Sequence, residues 1–238
     1  MQLENKVALI TGGNKGIGYG IAECLLKEGM KVAISSRSMA SAQAAAKDLA
    51  QYGEVLAIEL DVRNYEQQEK AVADVLAKWG QLDLMVANAG IGRFAPIEEM
   101  SIEDWNAVID TNVSGVFYSS KAAIPALKKT QGYIITISSL AGTNFFQQGT
   151  AYNASKFAVT GFSQAMMLDL RKYGIRVSTI MPGSVTSNFN GHEPSDSDDW
   201  KIQPEDIGEL VTDLMKMNPR TLPSKIEVRP TLPPSAKA

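Results

Sequence analysis

The sequence predicts an α/β fold, a doubly wound sheet of about seven parallel strands with helices on both faces, and three observations predict it. Short apolar runs of strand type alternate with longer helical patterns along the chain. A Gly-rich turn joins the first strand-like run to the first helical pattern. The chemistry-bearing residues fall at the ends of strand-like runs, where open α/β sheets collect their ligands. The first strand is read at residues 7–10, a short apolar run, and the helix at 16–28 rests on Ile21, Ala22, Leu25 and Leu26. Strands at 32–35 and 55–60 follow, with helices at 39–51 and 65–79 after them, and a fourth strand at 84–87. A long helical pattern covers 102–129, with a break expected near Thr111. Strand 133–138 leads to helix 152–173, strand 176–181 to helix 204–217, and a short seventh strand is read at 226–229. There is no internal repeat. Residues 188–199, rich in Asn, Ser, Asp and Gly, read as a mobile loop, and the Pro-rich stretch 230–238 as a frayed or packed terminus.

With 238 residues and 45% hydrophobic content, the chain can bury one large core, so residues 1–238 are expected to form a single catalytic domain, with 188–203 as a substrate-loop segment within it. A net charge of −3 and the lack of a Lys/Arg block argue against nucleic acid as a partner. Cys24 is the only cysteine, which excludes a disulfide framework or a zinc cluster. It falls on the apolar side of the first helix and is expected to pack there as a small residue. The opening residues carry no basic region followed by an apolar one, and no apolar run approaches the ~20 residues of a membrane span. A soluble, cytoplasmic protein without membrane contact is expected.

Tyr152 and Lys156 stand four residues apart in a helical pattern, so the phenol and the ammonium share one face. A nearby ammonium favours phenolate and lowers a tyrosine pKa from ~10 toward neutrality, as a general acid working near neutral pH requires. Ser139 lies thirteen residues upstream, just past a buried strand. In the segment Thr11-Gly12-Gly13-Asn14-Lys15-Gly16-Ile17-Gly18, the glycines let the backbone approach a pyrophosphate, and the helix start offers its free N–H groups to the charge.

Taken together, these residues resemble the short-chain dehydrogenase/reductase family over nearly the whole chain. The matching features are T-G-x-x-x-G-x-G from Thr11 to Gly18, Asp61-Val62, Asn88-Ala89-Gly90, Asn112, Ser139, Tyr152 with Lys156, and Pro182-Gly183. The resemblance implies a Rossmann-type domain that reduces a ketone or aldehyde carbonyl, in the manner of 3-oxoacyl and carbonyl reductases. It implies Tyr152 as proton donor, Ser139 as a donor to the same oxygen, and Lys156 as the group that lowers the Tyr152 pKa and binds the nicotinamide ribose. Asn112 would hold a water that links Lys156 to solvent. Gly12, Asn14, Lys15, Gly16, Ile17 and Gly18 would cradle the pyrophosphate. Asp61 would accept from the adenine amino group and Val62 would donate its backbone N–H. Asn88, Ala89 and Gly90 would shape the adenine-ribose groove, although Asn88 reads equally as a strand-bridging residue. Pro182, Gly183, Val185 and Ser187 would cover the nicotinamide, with Thr186 an alternative to Ser187.

Cofactor choice follows from the end of the second strand. An NAD enzyme usually carries an acid there for the ribose 2′-OH, whereas this chain has Ser35-Ser36-Arg37-Ser38. Arg37, with Ser36 beside it and Lys15 as a second cation, suits a 2′-phosphate, so NADP(H) is the expected cofactor. The substrate pocket is expected to be lined by Leu140, Phe145, Phe146, Met181 and the loop 188–200, with Phe145 and Phe146 readable also as core aromatics. His192 reads as a solvated loop histidine, and no metal is expected. The final strand lacks the Gly-rich ending common among 3-oxoacyl reductases, which weakens an acyl-carrier assignment. Apolar residues on more than one face of the helical patterns 102–129 and 152–173 predict burial against another subunit, and the resemblance implies a homotetramer, with a homodimer as the alternative.

Overall fold

The computed structural model describes residues 2–187, 189–193 and 195–233. Seven strands form one parallel sheet in the order β3-β2-β1-β4-β5-β6-β7. They are β1 (Val7–Ile10), β2 (Lys31–Ser36), β3 (Val55–Glu59), β4 (Leu84–Ala87), β5 (Tyr133–Ile137), β6 (Arg176–Pro182) and β7 (Lys225–Val228). The helices are α1 (Gly16–Lys27), α2 (Met39–Leu49), α3 (Tyr65–Trp79), α4 (Ile102–Ile109), α5 (Gly115–Thr130), α6 (Thr150–Leu170) and α7 (Pro204–Lys216). The expected elements are all present, with ends differing by a few residues at most.

Strands β1, β4 and β5 are buried throughout because helices cover both faces, which is why they read as continuous apolar runs. One core layer packs α1 and α7 on the sheet through Ile21, Leu25, Ile207 and Val211. The other packs α3, α5 and α6 through Val72, Val75, Ala123, Leu127, Met166 and Met167. Helices α1 and α7 cross at two glycines. A Cβ added to Gly20 would fall 2.5 Å from the Pro204 carbonyl oxygen, and one on Gly208 would fall 2.5 Å from the Gly20 oxygen. Cys24 is half-buried at this crossing, its Sγ 3.6 Å from the Glu205 oxygen, and burial pushes its thiol up to about 11.

Local chemistry sets the helix starts. Ser38, Asn64 and Ser101 accept hydrogen bonds from the first turns of α2, α3 and α4. Pro204 opens α7 behind a capping box of Gln203 and Asp206. The break expected near Thr111 is a π-helical turn, Asp110–Ser114, between α4 and α5. Because β1 lies between β2 and β4, the chain leaves these neighbours toward opposite flanks, and a crevice opens between the turns that follow them. Among the described residues, no helix is long and apolar enough to cross a membrane.

Candidate active site

The crevice is a cleft of about 1050 Å³ along the carboxyl edge of the sheet. Its first wall is the turn between β1 and α1. Gly12 and Gly16 adopt φ of 64° and 55°, a region that favours glycine. Gly18 lies behind the wall, where a Cβ would meet Asn88 Nδ2 and the Gly12 oxygen, each at 2.6 Å. Asn88 braces this turn from β4 by donating to the Thr11 and Gly12 oxygens at 2.9 and 3.1 Å. Thr11 Oγ1 returns the support by accepting from the N–H groups of Asn88 and Ala89. Asn88 therefore bridges the strand ends while also lining the cleft. Lys15 precedes α1 without capping it through its side chain, so the first-turn N–H groups stay available.

At one end, Lys15, Ser36 and Arg37 line the cleft. Among the described residues, no hydrogen bond or ion pair engages the Lys15 or Arg37 side chain. Asp61, also in the lining, is gripped by Arg63 through contacts of 2.5–3.1 Å, and this partner is the first cause holding its carboxyl below the usual range. Val62, Ala89 and Gly90 complete that stretch.

Ser139, Tyr152 and Lys156 meet in the middle. Ser139 leaves β5 with its Oγ accepting from Ala141 N at 3.1 Å and donating to the Pro182 oxygen at 3.4 Å. Ser138 turns its hydroxyl to the Lys156 carbonyl and Thr160. The expected effect of Lys156 on Tyr152 is absent from this geometry. Burial raises the Tyr152 pKa, opposed by the nearby Ser139 hydroxyl. Lys156 Nζ donates to the Ile137 oxygen at 3.0 Å and sits 5.6 Å from the centre of the Tyr152 ring. Burial lowers the Lys156 pKa to about 8.

Asn112 is buried behind this group, on the π-helical turn, and is not itself in the cleft lining. Its Oδ1 accepts from Ile91 N at 2.8 Å, while Nδ2 donates to the Ile91 oxygen at 2.9 Å and to Ser155 Oγ at 3.0 Å. The side chain thus substitutes for a neighbouring strand and fixes the loop after β4. Past β6, Pro182, Gly183, Val185 and Ser187 line the cleft. Thr186 turns away, accepting from Gln203 Nε2 at 3.1 Å, so Ser187 is the hydroxyl on the cleft side.

The expected substrate wall is corrected. Met181 is wholly buried in the sheet. Phe145 points outward with 84% of its surface exposed, and Phe146 lies against Phe94, ring centres 5.8 Å apart. Leu140 lies against Gly183, at which a Cβ would come within 3.1 Å of Leu140 Cδ1. None of these four is among the residues that line the cleft, whose wall on this side is made by Ile91, Gly92, Arg93, Phe189, His192 and Lys201. His192 is not simply solvated: its Nε2 is 2.5 Å from Asp198 Oδ2, and Lys201 reaches the other oxygen at 2.5 Å. Lys201, with His192 second, holds the Asp198 carboxyl down at about 2. The i, i+3 spacing of Asp198 and Lys201 is the one sequence signal for this cluster. Positions 188 and 194 of the loop lie outside the described residues. Among the described residues, no group of His, Cys, Asp and Glu could hold a metal.

Comparison with known proteins agrees with this arrangement. The family model for short chain dehydrogenase matches residues 6–198. An uncharacterized oxidoreductase of Staphylococcus saprophyticus is 33% identical, over 97% of this chain and 99% of its own. Among solved structures, the alcohol dehydrogenase of the archaeon Thermococcus sibiricus, complexed with 5-hydroxy-NADP, superposes with a TM-score of 0.91 at 30% identity, covering 97% of this chain and 98% of that one. The 3-ketoacyl-(acyl-carrier-protein) reductase of Brucella melitensis, complexed with NADH, gives 0.87 at 27% identity over 96% and 98%. A braced glycine turn, a cleft at the β1/β4 switch point and a Ser-Tyr-Lys group at its centre thus coincide with full-length similarity, and the chain belongs to the short chain dehydrogenase family of oxidoreductases.

Proposed function

We propose that this protein is an NADPH-dependent reductase that converts a ketone or aldehyde carbonyl into an alcohol. The observation that carries the reading is the convergence of Ser139, Tyr152 and Lys156 in a cleft whose far end presents Lys15 and Arg37 and no free acid. The residues present fit a dinucleotide: a turn whose glycines keep Cβ atoms out of the cleft, a start of α1 that no side chain caps, and two cations that, among the described residues, no hydrogen bond or ion pair engages, where a 2′-phosphate would lie. The relatives solved with 5-hydroxy-NADP and NADH support a nicotinamide cofactor, and Arg37 favours NADP(H) between the two.

A bound reduced nicotinamide supplies the hydride. The chain's own residues meet the charge that builds on the carbonyl oxygen: Tyr152 donates its phenolic proton and Ser139 donates a hydrogen bond to the same oxygen. Ser139 and Tyr152 both line the cleft, so the two donors can meet one oxygen there. Lys156 is held near the phenol by Ile137, where its ammonium can reach ribose hydroxyls and favour phenolate after proton transfer. The test is turnover with NADPH and a panel of carbonyls, alongside Tyr152→Phe, which keeps the ring but removes the proton. The variant should lose roughly 10²–10⁴ in kcat while still binding NADPH. A variant of near-native rate would show that another group is the acid.

The same reading includes a homotetramer with dihedral symmetry working in the cytoplasm. Val116, Leu127, Val159, Met166, Met167 and Leu170 are buried against this subunit's own sheet and helices. Among the described residues, the large apolar side chains left exposed on α4, α5 and α6 are Ile102, Trp105, Phe117, Phe157 and Leu168. Light scattering at micromolar protein should give a multiple of 25.7 kDa, and a monomer mass would refute self-association.

A further inference from the structure

We infer that the substrate end of the cleft is an aromatic slot that selects carbonyl compounds bearing a flat aryl group, with Phe189, which lines the cleft, as its specificity-determining wall and Phe94, packed on Tyr152 beside that lining, as its flank. This rests on the reductase reading above and extends it to the class of substrate. Two loops far apart in sequence bring phenyl rings to the Tyr152 phenol. Phe94, after β4, meets the Tyr152 ring edge-on at 5.5 Å and 68°, and Phe189, after β6, tilts onto it at 5.6 Å and 56°. Phe146 backs Phe94 from outside. Gly92 is the seam between them: a Cβ there would fall 2.8 Å from Phe189 Cε1 and 2.9 Å from Phe94 Cε2. Only a residue without a side chain lets both rings approach the phenol.

Both rings keep more than a third of their surface exposed, 38% for Phe94 and 37% for Phe189. Apolar rings left open beside the proposed proton donor gain by covering themselves with a neutral group, and ring-to-ring contact adds to plain burial. Charge points the same way. Arg93, the cation in the nearest lining, is ion-paired with Asp104 at 3.1 Å, and Lys201 and His192 both converge on Asp198. An anionic substrate would have to compete with a carboxylate already seated on each cation. A neutral ring competes with nothing but water. Because Tyr152 and Ser139 would fix the carbonyl oxygen, the aryl group belongs next to the carbonyl carbon.

The experiment uses the full chain with NADPH and two aldehydes of similar size, benzaldehyde and cyclohexanecarbaldehyde. We expect kcat/KM to favour benzaldehyde by about tenfold or more, and Phe94→Leu or Phe189→Leu, which keep bulk but remove the ring, to erode that preference by roughly 3- to 10-fold each. NADPH affinity should be unchanged in both variants. Binding is read separately with the unreactive analogues benzamide and cyclohexanecarboxamide, the first binding at least about threefold tighter in the presence of NADPH. Equal affinity for the two carboxamides, or Leu variants that lose both aldehydes equally, would overturn the slot. If no aldehyde is reduced while benzamide is still preferred, the slot stands and the reductase reading falls.

Discussion

Asn112→Ala is the substitution that best separates a structural clamp from a mere link in a proton path. The wild-type side chain is buried and makes three hydrogen bonds of 2.8–3.0 Å, two of them to both backbone groups of Ile91. Alanine would leave Ile91 N–H and C=O without these partners, and Ser155 with only its bond to the Tyr152 carbonyl. A stranded, partly buried backbone group costs about 1–3 kcal/mol, so the two together imply a loss of about 2–4 kcal/mol once water reaches part of the gap. For a chain of this size that is roughly 5–15 °C in melting temperature. Asn112→Asp adds a control: it keeps the acceptor for Ile91 N but sets an oxygen against the Ile91 carbonyl, so it should be no more stable than the alanine variant. Urea unfolding measures the loss, and steady-state kinetics measures its consequence. The loop that Asn112 holds carries Ile91, Gly92 and Arg93 of the cleft wall, so KM for the carbonyl should rise more than the Kd for NADPH. Asn112→Ala within about 0.5 kcal/mol of wild type, or an aspartate as stable as asparagine, would refute the clamp.

Three further outcomes follow from the same geometry. Arg37→Asp should weaken NADPH by roughly 10- to 100-fold, the loss of one charge-assisted contact plus repulsion, and spare NADH; equal kcat/KM for the two cofactors in the native protein would defeat this assignment. Gly20→Ala should destabilise by roughly 2–3 kcal/mol, because the new methyl meets the rigid backbone at Pro204 rather than a side chain that can rotate away; an unchanged urea midpoint would mean that α1 and α7 separate easily. Lys156 gives a pH signature. Its pKa is about 8 when folded against an ordinary 10.5, so between these values the unfolded chain holds the extra proton and stability rises with pH. The stability of wild type relative to Lys156→Met should therefore climb by up to about 3 kcal/mol from pH 8 to 10.5, and a flat difference would show that the ammonium is not desolvated.

The sheet was legible because its central strands are covered on both faces and so appear as uninterrupted apolar runs such as Val7-Ala8-Leu9-Ile10. Helix starts were legible where a side chain caps the helix, as Ser38, Asn64 and Ser101 do. The break near Thr111 was visible as a change in pattern, but not as a π-helical turn, since nothing local distinguishes five residues of one helical geometry from another. Residues whose roles depend on long-range contact were harder to read. Asn112 and Ile91 are 21 positions apart, and their pairing depends on how the loop after β4 returns to the helix. The substrate wall was misread for the same reason. Phe145 and Phe146 follow Ser139 closely in sequence, yet neither lines the cleft after the 3₁₀ turn Leu140–Gly142, and the rings that meet Tyr152 are Phe94 and Phe189, from two other loops.

The Tyr152–Lys156 pair shows where motif reasoning needs electrostatics. Spacing places an ammonium near a phenol, and the bare expectation is a depressed tyrosine. In the protein alone, both groups move the other way: burial penalises phenolate on Tyr152 and ammonium on Lys156 alike, so each is biased toward its neutral form. A phenol that holds its proton until a negative oxygen develops beside it is suited to act as an acid, and a lysine at about 8 remains largely protonated near pH 7. Lowering the phenol pKa then requires that the ammonium become the better-solvated partner, through hydroxyls or water brought to Nζ beside its bond to the Ile137 carbonyl. The residues of the motif supply the donors, and what binds in the cleft completes the field that sets their proton affinities.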